Sequence, residues 1–165
     1  MAVIEPLLME MEMEAAATRR LLERLPSEKL GWKPHPKARS LGELAVHIAQ
    51  TQKQVSSMIQ GDGHELAIPA ETVPATPAEI VAMFDEGLSA AKANLAKLGD
   101  ADMMSEWSLL RDGKPIFTMP KAGVVRMIIL NHVYHHRGQL TTYLRTLDVP
   151  LPSVYGPSAD ENPFF

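Results

Sequence analysis

Four segments of the chain repeat apolar residues at intervals of three and four, and this repeat constrains the fold more than any other feature. Such spacing places side chains on one face of an α-helix, because the helix has about 3.6 residues per turn. Each segment therefore predicts an amphipathic helix with one buried face. Helices of this kind bury their apolar faces against one another, so we predict an all-α, antiparallel four-helix bundle.

Caps, prolines and glycines set the expected helix ends. Ser40 begins the second helix with Glu43 in a capping box, and Thr76 caps the third with Pro77 at its first position. Pro26 ends the first helix, because proline cannot continue a helical hydrogen-bond ladder. The predicted helical ranges are 6–25, 40–61, 76–99 and 120–147.

The connections between these helices are long for a bundle. Asp112-Gly113 lies between two apolar runs and is typical of a tight turn, so a short hairpin or irregular extended pair is expected within 100–119. The proline-rich tail 149–165 is expected as packed extended chain or partly disordered chain. With 165 residues, the range 1–165 is expected to be one domain.

Composition narrows the range of partners. Sixteen basic and twenty acidic side chains give a net charge of −4, which argues against a nucleic-acid partner and a basic membrane-surface helix. No apolar run reaches the roughly 20 residues that span a bilayer, and the N-terminus does not resemble a signal peptide. A cytoplasmic location is therefore expected. The chain has no cysteine, so a bound metal would need His, Asp or Glu ligands.

His132 and His136 continue the apolar stripe of the fourth helix, four residues apart. This spacing places both imidazoles on one helix face, where they can bind the same metal ion. Two buried imidazoles are costly unless their nitrogens are satisfied. The residues alone leave two interpretations open, a metal site and a pair of hydrogen-bonded core histidines.

His47 favours the metal interpretation, because it lies on the inward stripe of the second helix. Three imidazoles without a fourth protein ligand leave an open position, as in catalytic metal sites. Imidazole accepts Zn²⁺, Ni²⁺ or Fe²⁺, so the metal stays open. His35 and His64 are expected in solvated loops, and His135 is expected at the rim or at an interface, because it is rotated off the stripe.

Three motifs together resemble the DinB/YfiT superfamily of small helical metalloenzymes. They are Trp-x-Pro at 32–34, Ser-Leu-Gly-Glu-Leu-Ala-Val-His-Ile-Ala at 40–49, and His-Val-Tyr-His-His-Arg-Gly-Gln-Leu at 132–140. The resemblance covers nearly the whole chain, and the His-x₃-His-Arg-Gly-Gln element is its most specific part. It implies a four-helix bundle that holds one divalent metal ion through a histidine triad at His47, His132 and His136.

The resemblance also implies a class of activity. Relatives include transferases that use bacillithiol, mycothiol or glutathione and a mycothiol-dependent maleylpyruvate isomerase, and homodimers are common among them. The expected function is therefore a metal-dependent enzyme, such as a thiol-dependent S-transferase acting on small electrophiles, with a low-molecular-weight thiol as co-substrate. The alternative is a non-catalytic metal- or small-ligand-binding protein of a stress response. Hydrolysis by a metal-activated water is a weaker candidate.

Other residues near the triad have several interpretations. Gln139 and Tyr143 are candidates for the pocket lining or for contacts that orient the ligands. Glu43 could also reach the site, although its capping role explains it more simply. Arg137 is expected to point to solvent or to a dimer partner. The first and last helices offer apolar surface for a homodimer.

Overall fold

The computed structural model describes residues 2–67 and 71–164, which are mostly helical, as the apolar repeats predict. A 3₁₀ turn at Ser27–Lys29 follows the first helix. The fourth predicted helix is divided in three, because a π-helical stretch, Val125–Asn131, separates two α-helical parts. The α-helices are α1 Ile4–Leu22, α2 Leu41–Met58, α3 Pro77–Leu95, α4 Asp100–Met104, α5 Lys121–Val124 and α6 His132–Thr146.

The predicted starts of α2 and α3 are confirmed together with their caps. The Ser40 hydroxyl accepts from the Glu43 amide at 3.1 Å, and the Glu43 carboxylate accepts from the Ser40 amide at 2.6 Å. Thr76 and Glu79 form the same reciprocal pair, with Pro77 at the first position of the helix. Each cap satisfies amides that a helix start leaves unpaired, which fixes the starting residue.

Helices α2 and α3 run in the same direction, contrary to the antiparallel packing expected of successive helices. Gly87 meets Ala49, so closely that an added Cβ would lie 2.7 Å from the Ala49 carbonyl oxygen. Further along both helices, the Asn94 amide donates to the Ser57 hydroxyl at 3.1 Å. The chain must therefore return along the length of α2, about 27 Å, before α3 begins. This return explains the long connection between the two helices.

The last helix runs antiparallel to α2. His47 lies beside His136, whereas Arg39, just before α2, accepts through its carbonyl from the Tyr143 hydroxyl at 3.4 Å. Residue numbers thus rise along one helix as they fall along the other. This antiparallel contact brings the middle of α2 against the start of α6.

Helix α1 runs antiparallel to α3. Arg19 pairs with Asp85 at 3.0 Å, and Glu12 pairs with Lys92 at 2.9 Å. Because α2 is parallel to α3 and antiparallel to α6, α1 and α6 share one direction and α2 and α3 share the other.

A three-stranded sheet corrects the all-α expectation. Strand β1 (Gly63–Glu65) pairs in parallel with β2 (Glu106–Arg111), which pairs antiparallel with β3 (Lys114–Pro120). The expected hairpin is confirmed: Asp112 and Gly113 join β2 and β3 with φ of 52° and 71°, the geometry of a primed two-residue turn. Strand β1 has only three residues, Gly-His-Glu, without alternating apolar and polar side chains, so no sequence pattern predicts it.

The core has two parts along the helices. One surrounds Leu44, Phe84 and Leu140, and the other surrounds Ile59, Leu95 and Trp107 next to the sheet. The tail has neither helix nor strand up to residue 164. Its residues Val149, Leu151 and Val154 pack against the first part; Phe165 lies outside the described residues. Among residues 2–67 and 71–164, no helix has the length and apolar content that crossing a membrane requires.

Candidate metal centre

The structure brings His47, His132 and His136 together. The Nε2 atoms of His132 and His136, one turn apart on α6, are separated by 2.9 Å, and His47 Nε2 from α2 lies 3.4 Å from that of His132. One ligand atom from each residue lies within 4.8 Å of those of the other two. We call these three residues the triad.

Hydrogen bonds on the far side of two rings fix their orientation. His47 Nδ1 lies 2.7 Å from a Glu71 carboxylate oxygen, and His136 Nδ1 lies 2.8 Å from the Gln139 side-chain oxygen. These oxygens accept, so the hydrogen bonds assign the ring proton to Nδ1 in both rings. The Nε2 lone pairs of His47 and His136 then face the centre of the triad. A cation at this centre would remove the repulsion between them. The arrangement fits a metal ion.

Burial lowers the pKa of two of the three imidazoles. Desolvation and the neighbouring imidazoles lower the pKa of His132 from 6.5 to about 4, and desolvation also lowers the pKa of His136. Both rings are therefore neutral at physiological pH, the form that binds metals. His132 Nδ1 is buried and has no hydrogen-bond partner among the described residues.

The π-helical stretch immediately before His132 sets the direction in which the two α6 histidines point. A π-turn holds one more residue than an α-turn, so the stretch rotates everything after it relative to a continuous α-helix. Val125 and Ile129 remain buried within it, and His132 begins α6. Sequence periodicity predicted one regular helix here and therefore missed this local change.

Glu71 is the residue near the triad that sequence reasoning missed. It lies in the connection before α3, and its second carboxylate oxygen pairs with Arg39. No helical repeat extends into this connection, so its sequence carries no signal for the contact with His47. Arg39 adds a positive charge close enough to lower the pKa of His132 and His136.

The other predicted site residues have different positions. The Gln139 side-chain oxygen lies 2.8 Å from His136 Nδ1. Glu43 belongs to the cap and lies 3.2 Å from Lys33; the Ser40 amide, and then Lys33, lower the pKa of its carboxyl. Tyr143 stands edge-on to Trp32 at 5.6 Å between ring centroids, and its hydroxyl reaches the backbone rather than a histidine.

The remaining histidines lie outside the triad. His135 is exposed and edge-on to His136, with ring centroids 4.9 Å apart, which agrees with a position at the rim. His35 is exposed in a loop, as expected. His64 differs from expectation, because it lies half-buried in β1 rather than in a solvated loop.

The expectation that Arg137 points to solvent or to a partner is wrong. Its side chain is 2% exposed and pairs with Glu14 of α1 at 2.6 Å. It also donates to the Thr18 hydroxyl at 3.3 Å and to the Tyr155 hydroxyl of the tail, and it lies over the Tyr134 and Tyr155 rings. We call these five residues the arginine cluster.

Chemically, the triad offers three imidazole nitrogen donors. Among the described residues, His47, His132 and His136 form the group of side chains that could share one ion. A tetrahedral divalent ion bound there would keep one position for water or a ligand, the pattern of catalytic rather than structural zinc sites.

Known proteins resemble this chain in sequence and in fold. The family model of the DinB family matches residues 2–162. The uncharacterized protein YrdA of Bacillus subtilis (strain 168) is 29% identical over 151 residues, which cover 91% of this chain and 86% of that protein.

Solved structures of DinB-like proteins share the fold. The crystal structure of one from Bacillus cereus ATCC 10987 has a TM-score of 0.74 and 26% identity, covering 92% of this chain and 97% of that chain. YjoA of Bacillus subtilis, with a TM-score of 0.70 over 91% of this chain and 97% of its own, is 17% identical and shows the fold alone. With a family match over nearly its whole length, this chain belongs to the DinB family.

Proposed function

We propose that His47, His132 and His136 ligate one divalent metal ion, and that the chain is a metal-dependent enzyme built as a single four-helix-bundle domain. The observation that carries this proposal is the convergence of three Nε2 atoms, two of them in rings oriented by Glu71 and Gln139. Zn²⁺, Ni²⁺ and Fe²⁺ all suit three imidazoles, so the donor set favours none of them.

The proposed reaction is the transfer of a low-molecular-weight thiol to a small electrophile. A divalent ion at the triad would supply the positive charge that keeps a thiol deprotonated at neutral pH. The thiol loses its proton to solvent, its sulfur forms a bond to the electrophilic carbon, and the leaving group departs with the electrons of the broken bond. The imidazoles of His47, His132 and His136 would hold this ion.

The experiment begins with elemental analysis of untagged protein purified without chelators. We expect about one divalent ion per chain, and less than about one-tenth would overturn the proposal. Loaded protein is then assayed with glutathione or bacillithiol and 1-chloro-2,4-dinitrobenzene, with His132→Ala as the inactive control. Turnover by the loaded wild type, with none by His132→Ala, would support the transferase.

The second candidate is a binding protein without catalysis. It shares the metal site, so metal content does not separate the two functions. Saturable binding of a thiol by the loaded protein without turnover would support it.

The exposed side chains of Met9 and Met13 on α1, 64% and 75% accessible, favour a homodimer as a further part of the proposal. Sedimentation of the wild type against Met9→Lys/Met13→Lys tests it.

A further inference from the structure

We infer that Glu71 is a positioning residue of the metal centre: it holds His47 in the geometry and tautomer that metal binding needs. The inference rests on the proposed metal site and names a residue outside the helices that carry the ligands. It makes Glu71, just before α3, part of the centre.

The Glu71 carboxylate is held from two sides. One oxygen accepts from His47 Nδ1 at 2.7 Å, and the other pairs with the Arg39 guanidinium. The side chain is only 14% exposed. A carboxylate bonded to the far nitrogen of a metal-binding imidazole fixes the ring orientation and raises the basicity of the ligating nitrogen. Both effects strengthen the His47 bond to a cation.

The fold places Glu71 through close packing two residues further along. Val73 lies against Gly42 at the start of α2, where an added Cβ would lie only 2.5 Å from a Val73 methyl carbon. The absent side chain of Gly42 lets Val73 pack closely against α2, about one and a half turns before His47. The contact between Glu71 and His47 therefore depends on a packed backbone path rather than on two mobile surface side chains.

The three imidazoles differ in what supports them. His47 has a partly buried carboxylate, His136 has the neutral amide of exposed Gln139, and buried His132 Nδ1 has no partner among the described residues. A charged acceptor forms a stronger hydrogen bond than a neutral one. Loss of the Glu71 side chain should therefore weaken metal binding more than loss of the Gln139 side chain.

The test is titration of metal-free protein with Co²⁺, whose visible absorption reports the geometry of the ligands. The variants are Glu71→Ala, Glu71→Gln and Gln139→Ala. Glu106→Gln, an exposed acid in β2, is the matched charge control. Circular dichroism and thermal unfolding of the metal-free proteins check the fold, and Glu71→Gln covers the case in which Glu71→Ala unfolds.

We expect Glu71→Ala to raise the Co²⁺ dissociation constant by about 10- to 100-fold and to change the absorption spectrum. Glu71→Gln, which keeps an acceptor without charge, should lose less, and Glu106→Gln should match the wild type. Wild-type affinity and spectrum in folded Glu71→Ala or Glu71→Gln would overturn the role of Glu71 and leave the metal site standing. Failure of the wild type to bind Co²⁺ would overturn the metal site itself.

Discussion

His136 and Arg137 are neighbours in the chain, yet they belong to two polar clusters of opposite kinds. They point about 100° apart around α6, so one faces α2 and the other faces α1. The arginine cluster pairs its buried positive charge with Glu14 and with oxygens of Thr18 and Tyr155. The triad instead gathers three imidazole nitrogens, and no charged side chain among the described residues pairs with them at their shared centre.

The arginine cluster is suited to stabilising the fold, whereas the triad is suited to binding a cation. A buried charge that the protein itself satisfies is a structural element, and removal of one partner strands the other. Three imidazole nitrogens that converge on a point form a set of donors that could hold an external cation. Variants of the two clusters should therefore differ in metal binding and in the free energy of unfolding.

The largest expected effect is on metal binding. His132→Ala and His47→Ala should each abolish stoichiometric metal binding while the helical fold is kept, because each removes a donor but leaves the apolar stripe intact. Elemental analysis after dialysis and circular dichroism measure the two properties. His135→Ala, which removes the exposed neighbouring ring, should retain full metal content. Full occupancy in both triad variants would contradict the site.

The arginine cluster should show the reverse pattern. Arg137→Met should lower the free energy of unfolding by about 3 kcal/mol, because it leaves Glu14 without its buried partner. Glu14→Gln in the same chain should restore part of this loss. Urea denaturation measures the stability, and Co²⁺ titration of the folded variant should give wild-type affinity.

A surface pair on the same helical stretch provides the control for that prediction. Arg126 pairs with Glu10 at 2.6 Å, but its side chain is 44% exposed. Arg126→Met should therefore cost less than about 1 kcal/mol. Equal losses in Arg126→Met and Arg137→Met would remove the distinction between a buried and an exposed pair.

The triad should also make the stability of the metal-free protein depend on pH. The pKa of His132 is about 4 in the folded chain against 6.5 for an ordinary histidine, so the unfolded chain binds more protons between these values. The free energy of unfolding therefore rises with pH through this window. The contribution of His132 is fully present above the window and is lost as the pH falls through it.

Urea denaturation of chelator-treated protein between about pH 5 and pH 7.5 measures this dependence. His132→Ala should reduce it, whereas Arg137→Met should lower stability at every pH and keep the slope. A slope unchanged by His132→Ala would show that other groups cause it.

A small effect on stability is also expected in the tail. Tyr155→Phe removes one hydroxyl that donates to Glu14 at 2.8 Å and accepts from Arg137. The expected loss is about 1 kcal/mol in the free energy of unfolding, with unchanged metal affinity. Thermal unfolding of this single variant measures the loss in stability. A loss of metal binding would link two clusters that we describe as independent.

Local patterns predicted much of the fold. The caps at Ser40 and Thr76 gave the starts of α2 and α3, and Asp112-Gly113 gave the turn of the hairpin. Each depends on hydrogen bonds or dihedral angles within a few residues, so the sequence is sufficient. Strand β1 and the parallel course of α2 and α3 depend on distant partners, and no short pattern contains them.

The same division holds for the site. The spacing of His132 and His136 and the inward position of His47 determined from the sequence alone which nitrogens could share an ion, because helical periodicity places them on buried faces. The contact between Glu71 and His47 and the inward turn of Arg137 came from tertiary packing. Both outcomes depend on which side chains other segments bring within hydrogen-bonding distance, and burial then decides whether a charge must be paired.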